Sequence, residues 1–431
     1  MKLKSRLLEN IVSLFVLQGA NYALPLLIVP HLVRTLGPEN FGRAALAQAI
    51  ALYFVVLTDY GFNLSATKKV VKAKGNPDEL SSLFINVVSA KACLAAASLV
   101  AMALFATFVD ALDKDYQLMA AAYVAVLGSS LFPVWLLQGL QKMRAVAVIT
   151  IISRMIVTIL IFTTIQHADD FRKAVAIQAT GSLIAAFLGL AMVPKIVKLR
   201  FLAPSFRSIV AELRDGWHVF LATAGGALYT GSGVVFLALV APPAVVGHYA
   251  AAEKLIKAVQ GLISPISQAV YPHVASLLLS SKEDAMRFVR KLLKFQSGGM
   301  LAITVLLFAL ADPMTTLLFG SDYSESSTIV RIMSVVPFLV AINNVLGAQV
   351  LVQLGARKLL SLSIMVPALL HIALLYPVAS IAGAVGVALI AVWSELLVAA
   401  LRFFGIKRLH PEVALSLWGR QSGTNKHESC E

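Results

Sequence analysis

The sequence predicts an all-α, polytopic membrane protein of about twelve transmembrane helices, arranged as two six-helix lobes around a central cavity. Three observations predict it. Apolar residues make up 59% of the 431 and charged residues only 13%, against roughly a quarter charged in soluble domains, so a soluble chain of this length would lack polar surface to cover itself. The apolar residues gather in runs of about twenty, such as 11–33, 84–108 and 332–352, the length that crosses a hydrocarbon core as a helix. Basic residues, finally, favour alternate connections.

Taken in order, polar and Gly/Pro-containing breaks delimit spans at 11–33, 41–62, 83–108, 117–139, 146–166, 173–194, 217–240, 247–273, 296–319, 330–353, 358–377 and 382–405. The first follows Met1-Lys-Leu-Lys-Ser-Arg and resembles the start of a secretory signal. It is over twenty residues long and has no convincing small-x-small cleavage site, so it reads as an uncleaved span. Residues 411–431 read as a polar cytoplasmic tail with little fixed structure. The two cysteines, Cys93 and Cys430, lie in an apolar run and in that tail, which implies no disulfide scaffold.

An even number of spans puts both termini on one side, and loop charge says which. With a cytoplasmic N-terminus, about 26 basic residues fall inside and about 6 outside, the latter including Arg34, Arg43, Lys114, Arg172 and Arg331. The outside connections are acidic instead: Asp110, Asp113, Asp115, Asp169, Asp170, Asp312, Asp322 and Glu325. The net charge of +14 is thereby accounted for by membrane topology, and nucleic acid is not expected as a partner.

The chain also repeats. Residues 38–48 (Pro-Glu-Asn-Phe-Gly-Arg-Ala-Ala-Leu-Ala-Gln) and 243–253 (Pro-Ala-Val-Val-Gly-His-Tyr-Ala-Ala-Ala-Glu) are both Pro-x-x-x-Gly turns entering an Ala-rich span, about 205 residues apart. Six spans flank each side of the basic connection around 195–215, so the lobes, 1–205 and 206–410, are parallel repeats that suit alternating access. Gly/Pro-interrupted spans at matching positions point to the substrate path. These are Pro25 and Pro30 in the first span, and Gly225, Gly226, Gly231 and Gly233 in the seventh.

Ionisable residues inside spans cost roughly 2.5–3.5 kcal/mol each unless they face water or a partner. Asp59, Lys91, Arg154, Glu253, Lys254, Lys257 and Glu395 are in this position, with Asp59 and Lys257 nearer the ends of their spans, where they can snorkel or pair locally. Glu253 and Lys257, at i and i+4, have the spacing to neutralise each other. Lys91 and Arg154 stand on the order of 12 Å inside their spans with no carboxylate within a helical turn, and are expected to face a hydrated interior. Lys254 and Lys257 add to a basic bias suited to an anionic substrate. Glu395 is either the buried mate of a lumen cation or a cation-coupling site.

Several strings carry a family resemblance: Gln18-Gly-Ala-Asn-Tyr-Ala-Leu-Pro-Leu-Leu, His31-Leu-Val-Arg-Thr-Leu-Gly-Pro-Glu-Asn-Phe-Gly, Asp59-Tyr-Gly-Phe-Asn-Leu-Ser-Ala-Thr, Trp135-Leu-Leu-Gln-Gly-Leu-Gln-Lys-Met-Arg, Tyr249-Ala-Ala-Ala-Glu-Lys-Leu-Ile-Lys-Ala and Leu262-Ile-Ser-Pro-Ile-Ser-Gln-Ala-Val-Tyr-Pro. From about residue 10 to 275 the chain resembles polysaccharide flippases of the O-antigen translocase group, in the multidrug/oligosaccharidyl-lipid/polysaccharide exporter superfamily. That resemblance implies two six-helix lobes and a cationic cavity. It implies translocation of undecaprenyl-diphosphate-linked oligosaccharide to the periplasmic leaflet of a bacterial inner membrane, with a polysaccharide polymerase and a chain-length regulator as partners. Arg34, Asp59 and Lys254 stand within the matching strings; Lys91 and Arg154 rest on burial alone. No cofactor or metal is expected.

Two rival readings are weaker. Asp113-Lys-Asp115 spells the Asp-x-Asp of many glycosyltransferases, but it falls in an outside loop, where nucleotide sugars are absent. There is no Gly-x-x-x-x-Gly-Lys-Ser/Thr loop and no His-Glu-x-x-His, so neither ATP hydrolysis nor zinc chemistry is indicated. A multidrug exporter of the same superfamily would commonly carry cationic drugs, which a basic cavity suits poorly. A lipid II flippase, a nearer relation, would be expected to have additional spans.

Overall fold

In the computed structural model, residues 2–108, 115–197, 200 and 203–418 are described. Asp110, Asp113, Lys114 and the tail from 419, with Cys430, lie outside the described residues, as does the side chain of Pro25. The described residues are helical and contain no strand. Helices α1 (Lys2–Asp59), α2 (Phe62–Ala73), α3 (Pro77–Phe108), α4 (Tyr116–Leu131), α5 (Val134–Gly139), α6 (Met143–Thr164) and α7 (Phe171–Ile196) form the N-terminal half. The C-terminal half holds α8 (Phe206–Ala238), α9 (Pro243–Gln260), α10 (Ile263–Ser280), α11 (Lys282–Ala309), α12 (Ala311–Phe319), α13 (Ser324–Met333), α14 (Val336–Asn344), α15 (Arg357–Leu409) and α16 (Pro411–Trp418).

Among the described residues, ten segments are long and apolar enough to cross a membrane. Helices α1 and α15 each join two of the expected spans through a glycine with non-helical backbone: Gly37 at φ +70° and Gly383 at φ +54°. A straight 53-residue helix such as α15 would run about 80 Å, far beyond a core of about 30 Å. The chain must turn at Gly383, and a positive φ is available there because glycine has no Cβ to clash.

Four breaks fall in two pairs at matching positions of the repeat. The second span is interrupted at Tyr60 (φ +46°) and Gly61 (φ +74°), between α1 and α2, and the eighth at Gly261, between α9 and α10. The fourth breaks before α5 at Pro133, and Pro337 stands in the first turn of α14 in the tenth. Proline lacks the N–H needed to continue a helix from the preceding turn.

The apolar core is shared at one end of the molecule and divided at the other. At the shared end, Leu32, Leu36, Phe41 and Leu46 of α1 pack in one cluster with Val246, Tyr249 and Ile256 of α9 and Phe319 and Tyr323. At the opposite end, Phe62, Val70, Leu80 and Trp135 form one cluster with Ile209 and Leu213, while Val274, Met286, Leu351 and Ile406 form a separate one. The first half of α8 thus packs on the N-terminal half of the chain, and its last residues, Val234 to Ala238, join the shared core.

Residues 411–418, expected as part of an unstructured tail, instead form α16. Val413 and Leu417 are buried against α10, α11 and the end of α15, and Glu412 pairs with Lys282 at 3.0 Å. Composition alone read this segment as polar; its period of four apolar residues puts one side onto the core.

Candidate functional site

The two Pro-x-x-x-Gly turns found as a repeat pack directly against each other. A Cβ on Gly42 would lie 1.9 Å from the carbonyl oxygen of Pro243, and a Cβ on Gly247 would lie 1.9 Å from that of Pro38. The contact is self-complementary, as at a two-fold axis: each turn offers its carbonyl to the glycine of its counterpart. Only glycine admits this approach. Beside it, Arg34 donates from Nε to the carbonyl of Leu318 at 3.1 Å and from its guanidinium to Leu317, at the C-terminal end of α12. A cation there also meets the negative end of the helix dipole. His31 bonds the carbonyl of Ile165 at 3.0 Å, and Asn40 donates to that of Ala168 at 2.9 Å. This end of the molecule is sealed.

The candidate cavity cations lie below that seal. Lys254 and Lys257 stand about 10 Å and about 15 Å along α9 from Gly247 at 1.5 Å per residue, which is close to half the hydrocarbon thickness. Lys254 donates to Oε1 of Gln48 at 3.3 Å and sits 5.5 Å from the centre of the Phe41 ring, both on α1. Gln48 is the residue the repeat aligns with Glu253, so the symmetric packing also delivers a polar group to the lysine. Lys257 pairs with Glu253 at 3.0 Å, the expected i, i+4 pair, and donates to the carbonyl of Thr230 on α8 at 3.1 Å. Its side chain remains 47% exposed. A lysine exposed at this depth is tolerated where it lines water, not lipid.

The four glycines of α8 divide by environment. Gly225 and Gly226 would place a Cβ in open space, whereas one on Gly231 would meet the Tyr53 ring at 3.6 Å and one on Gly233 the Tyr249 hydroxyl at 2.5 Å. The first pair is therefore exposed, while Gly231 is buried in ordinary contact with its tyrosine and only Gly233 is a position a Cβ would overfill. Pro30 is half-buried.

Lys91 is placed differently from the expectation that it faces a hydrated interior. It is 1% exposed and pairs with Oδ1 of Asp59 at 3.1 Å, and the other Asp59 oxygen accepts from Asn63 at 2.7 Å. The partner is 32 residues away, brought to α3 by the break at Tyr60 and Gly61. Arg154 is half-buried on α6, and the structure brings it neither to Lys91 nor to Lys254 by any hydrogen bond or ion pair described.

Glu395 belongs to a polar network that sequence reasoning did not assemble. Its carboxylate accepts from the Tyr229 hydroxyl at 2.9 Å and from Nδ2 of Asn343 at 2.7 Å. The Asn343 carbonyl accepts from Arg402, whose Nε donates to Ser363 at 3.1 Å. His371, bonded to Ser232 at 3.2 Å and Ser394 at 2.8 Å, stacks edge-on to Tyr229 at 5.1 Å. Arg402 is only 7% exposed although it stands near the end of the last expected span. The carboxylate and the guanidinium share Asn343, the one through its side-chain amide and the other through its backbone carbonyl. Among the described residues no group of three or more His, Cys, Asp or Glu is placed to hold a metal ion.

Comparison with known proteins agrees with this architecture. A family model described as "Polysaccharide biosynthesis protein" matches residues 7–278. A protein of Escherichia coli strain K12 described as "Putative O-antigen transporter" is 32% identical over 406 residues, 94% of this chain and 97% of its own. One of the same description from Shigella dysenteriae is 28% identical over 399 residues, covering 93% and 100%. Among solved structures, "Lipid II flippase MurJ, inward closed conformation" superposes with a TM-score of 0.73 at 14% identity, over 94% of this chain and 90% of that one. An inward-facing multidrug resistance MATE family transporter of the MOP superfamily gives 0.73 at 14%, over 94% and 98%. At these identities the two structures speak to the fold.

Proposed function

Since the chain belongs to the polysaccharide biosynthesis protein family, we propose that it is a flippase moving undecaprenyl-diphosphate-linked oligosaccharide, an O-antigen or related repeat unit, from the cytoplasmic to the periplasmic leaflet of a bacterial inner membrane. In this reading the chain crosses the membrane twelve times as two lobes, 1–205 and 206–410, with both termini cytoplasmic. The observation that carries it is the core shared at the Gly42–Gly247 end and divided at the other. That is the shape of a transporter closed to one side and open to the opposite one.

The physical task is to carry a hydrated glycan past hydrocarbon, where each unpaired hydroxyl costs several kcal/mol. The open region beside Gly225 and Gly226 receives the glycan, and the polyprenyl tail stays in lipid. Lys254, whose charge is not cancelled by the Glu253–Lys257 pair, attracts the diphosphate near the midplane, with Arg154 on the opposing half. Arg34 acts at the seal. Parting of the two Pro-x-x-x-Gly turns, with closure of the divided cores, then exposes the headgroup outside. No covalent step is required. Asp59 and Lys91 hold the broken second span together, and Glu395 with Tyr229, Asn343 and Arg402 is the place where a coupled cation would act. A polymerase and a chain-length regulator would receive the product.

The test is reconstitution in liposomes with undecaprenyl-diphosphate-linked oligosaccharide, scored for leaflet transfer with and without an imposed ion gradient. Wild-type protein should transfer the lipid, and Lys254→Gln should slow transfer at least tenfold with the protein intact. Equal transfer by empty liposomes and by liposomes holding wild type would refute the reading.

A further inference from the structure

At the divided end lies a cavity of about 790 Å³, lined by Tyr60, Val210, Leu213, Arg214, Asp215, Trp217 and His218, within the range of small-molecule sites. We propose that it is a docking platform for the saccharide headgroup, occupied before the diphosphate reaches Lys254. The proposal rests on the flippase reading and adds to it a place and a chemistry for sugar recognition.

Trp217 is 45% exposed and is held from behind by aromatic contacts. Its ring centre lies 5.8 Å from that of Phe220 and 6.5 Å from that of Tyr60, and Tyr60 stacks on Phe220 at 4.7 Å. The support is built into the backbone: Tyr60 adopts the left-handed conformation, and the carbonyl of Tyr60 comes within 3.0 Å of where a Cβ on Gly216 would stand. A rigid, half-exposed indole offers an apolar face to the C–H face of a pyranose at little entropic cost. Arg214 and His218 flank it one turn apart in α8 and have no hydrogen-bond or ion-pair partner among the described residues. Asp215 pairs with Lys69 at 2.7 Å and keeps acceptor capacity on its carboxylate. Vicinal hydroxyls need such a mixture of donors and acceptors.

Charge separates this site from the deeper one. Glu212 and Asp215 both bond Lys69 and offset it together with Arg214, so the charges at this cavity balance, unlike those around Lys254 and Lys257. The two sites are connected. His218, Ala222, Gly226 and Thr230, four residues apart on α8, are all exposed, and the carbonyl of Thr230 accepts from Lys257. The stripe runs about 18 Å along the helix, from the platform to the deep lysine pair.

The alternative role for an exposed Trp at this level is anchoring in the membrane interface. Full-length protein in lipid nanodiscs separates the two, by equilibrium binding of undecaprenyl-diphosphate-linked oligosaccharide and of undecaprenyl diphosphate without sugar. Trp217→Ala should weaken binding of the glycolipid about tenfold and leave the sugar-free carrier unchanged. Trp217→Phe should restore much of the loss, and His218→Ala, on an exposed side chain, should weaken the glycolipid alone by a few-fold. Equal weakening of both lipids by Trp217→Ala and His218→Ala, or of neither, overturns the platform while leaving the flippase reading intact. Wild type that binds neither lipid sinks both.

Discussion

Gly42 and Gly247 are each other's counterparts in the repeat and each other's neighbours in space, every one within 1.9 Å, at Cβ, of a carbonyl oxygen from the opposing turn. Repetition of sequence has here become a contact across the repeat axis, and a symmetric contact can part symmetrically. A methyl group at either position forces the turns apart. Overpacking of this kind costs about 1–3 kcal/mol, so Gly247→Ala should shift the population toward the outward-open form by about five- to a hundredfold. A cysteine at position 48 should then react faster with an impermeant maleimide added from the periplasmic side. An unchanged rate would mean that the turns are not the seal.

Arg34 offers a milder way to loosen the same end. Arg34→Ala removes two bonds to the carbonyls of Leu317 and Leu318, and because the side chain is exposed the loss is about 1 kcal/mol. The same maleimide assay should show a smaller acceleration than Gly247→Ala, roughly fivefold. Arg34→Lys keeps the charge and loses the fork, and should fall between.

The buried pair of Lys91 and Asp59 predicts a defect of folding. Removing the lysine leaves Asp59, whose side chain is 24% exposed and still bonded to Asn63, charged without its cation, at about 1–3 kcal/mol. Lys91→Ala should lower the yield and melting temperature of purified protein, and Lys91→Met combined with Asp59→Asn should recover much of both. Loss of transport by Lys91→Ala at wild-type stability would instead return Lys91 to the substrate path.

In the network around Glu395, the acid and the arginine should behave differently. Arg402→Ala leaves Ser363 and the Asn343 carbonyl without their donor and should cost about 1–3 kcal/mol for each buried acceptor. Glu395→Gln should leave the melting temperature nearly unchanged, because an amide can accept from Asn343 while the Tyr229 hydroxyl turns to accept from it. If the site couples a cation, Glu395→Gln abolishes the response of leaflet transfer to a gradient; an undiminished response removes Glu395 from coupling.

The sequence carried the helical class and the Glu253–Lys257 pair, because hydropathy period and local spacing encode them. It did not carry partners distant along the chain. Lys91 looked unpaired since its carboxylate sits beyond a break that depends on Tyr60 taking a positive φ, which no pattern marks. Arg402 stands near the end of a span, where charge alone cannot tell a snorkelling arginine from one bonded inward. The glycines of α8 were read as one group, yet Gly231 and Gly233 admit tyrosines while Gly225 and Gly226 face open space, a difference set entirely by neighbours. The pairing of the two Pro-x-x-x-Gly turns was likewise hidden, since similarity between segments does not say that they touch.

The most direct measurement locks the sealed end and follows leaflet transfer. With Cys93 and Cys430 replaced by serine, cysteines at Arg34 and Leu317, whose residues are in contact in the sealed form, are joined by a short reducible bismaleimide in liposomes carrying undecaprenyl-diphosphate-linked oligosaccharide. Transfer should stop on cross-linking and return on cleavage of the linker. Transfer at the same rate with the bridge intact would contradict the account, because the headgroup would then be crossing without the two halves parting at Gly42 and Gly247.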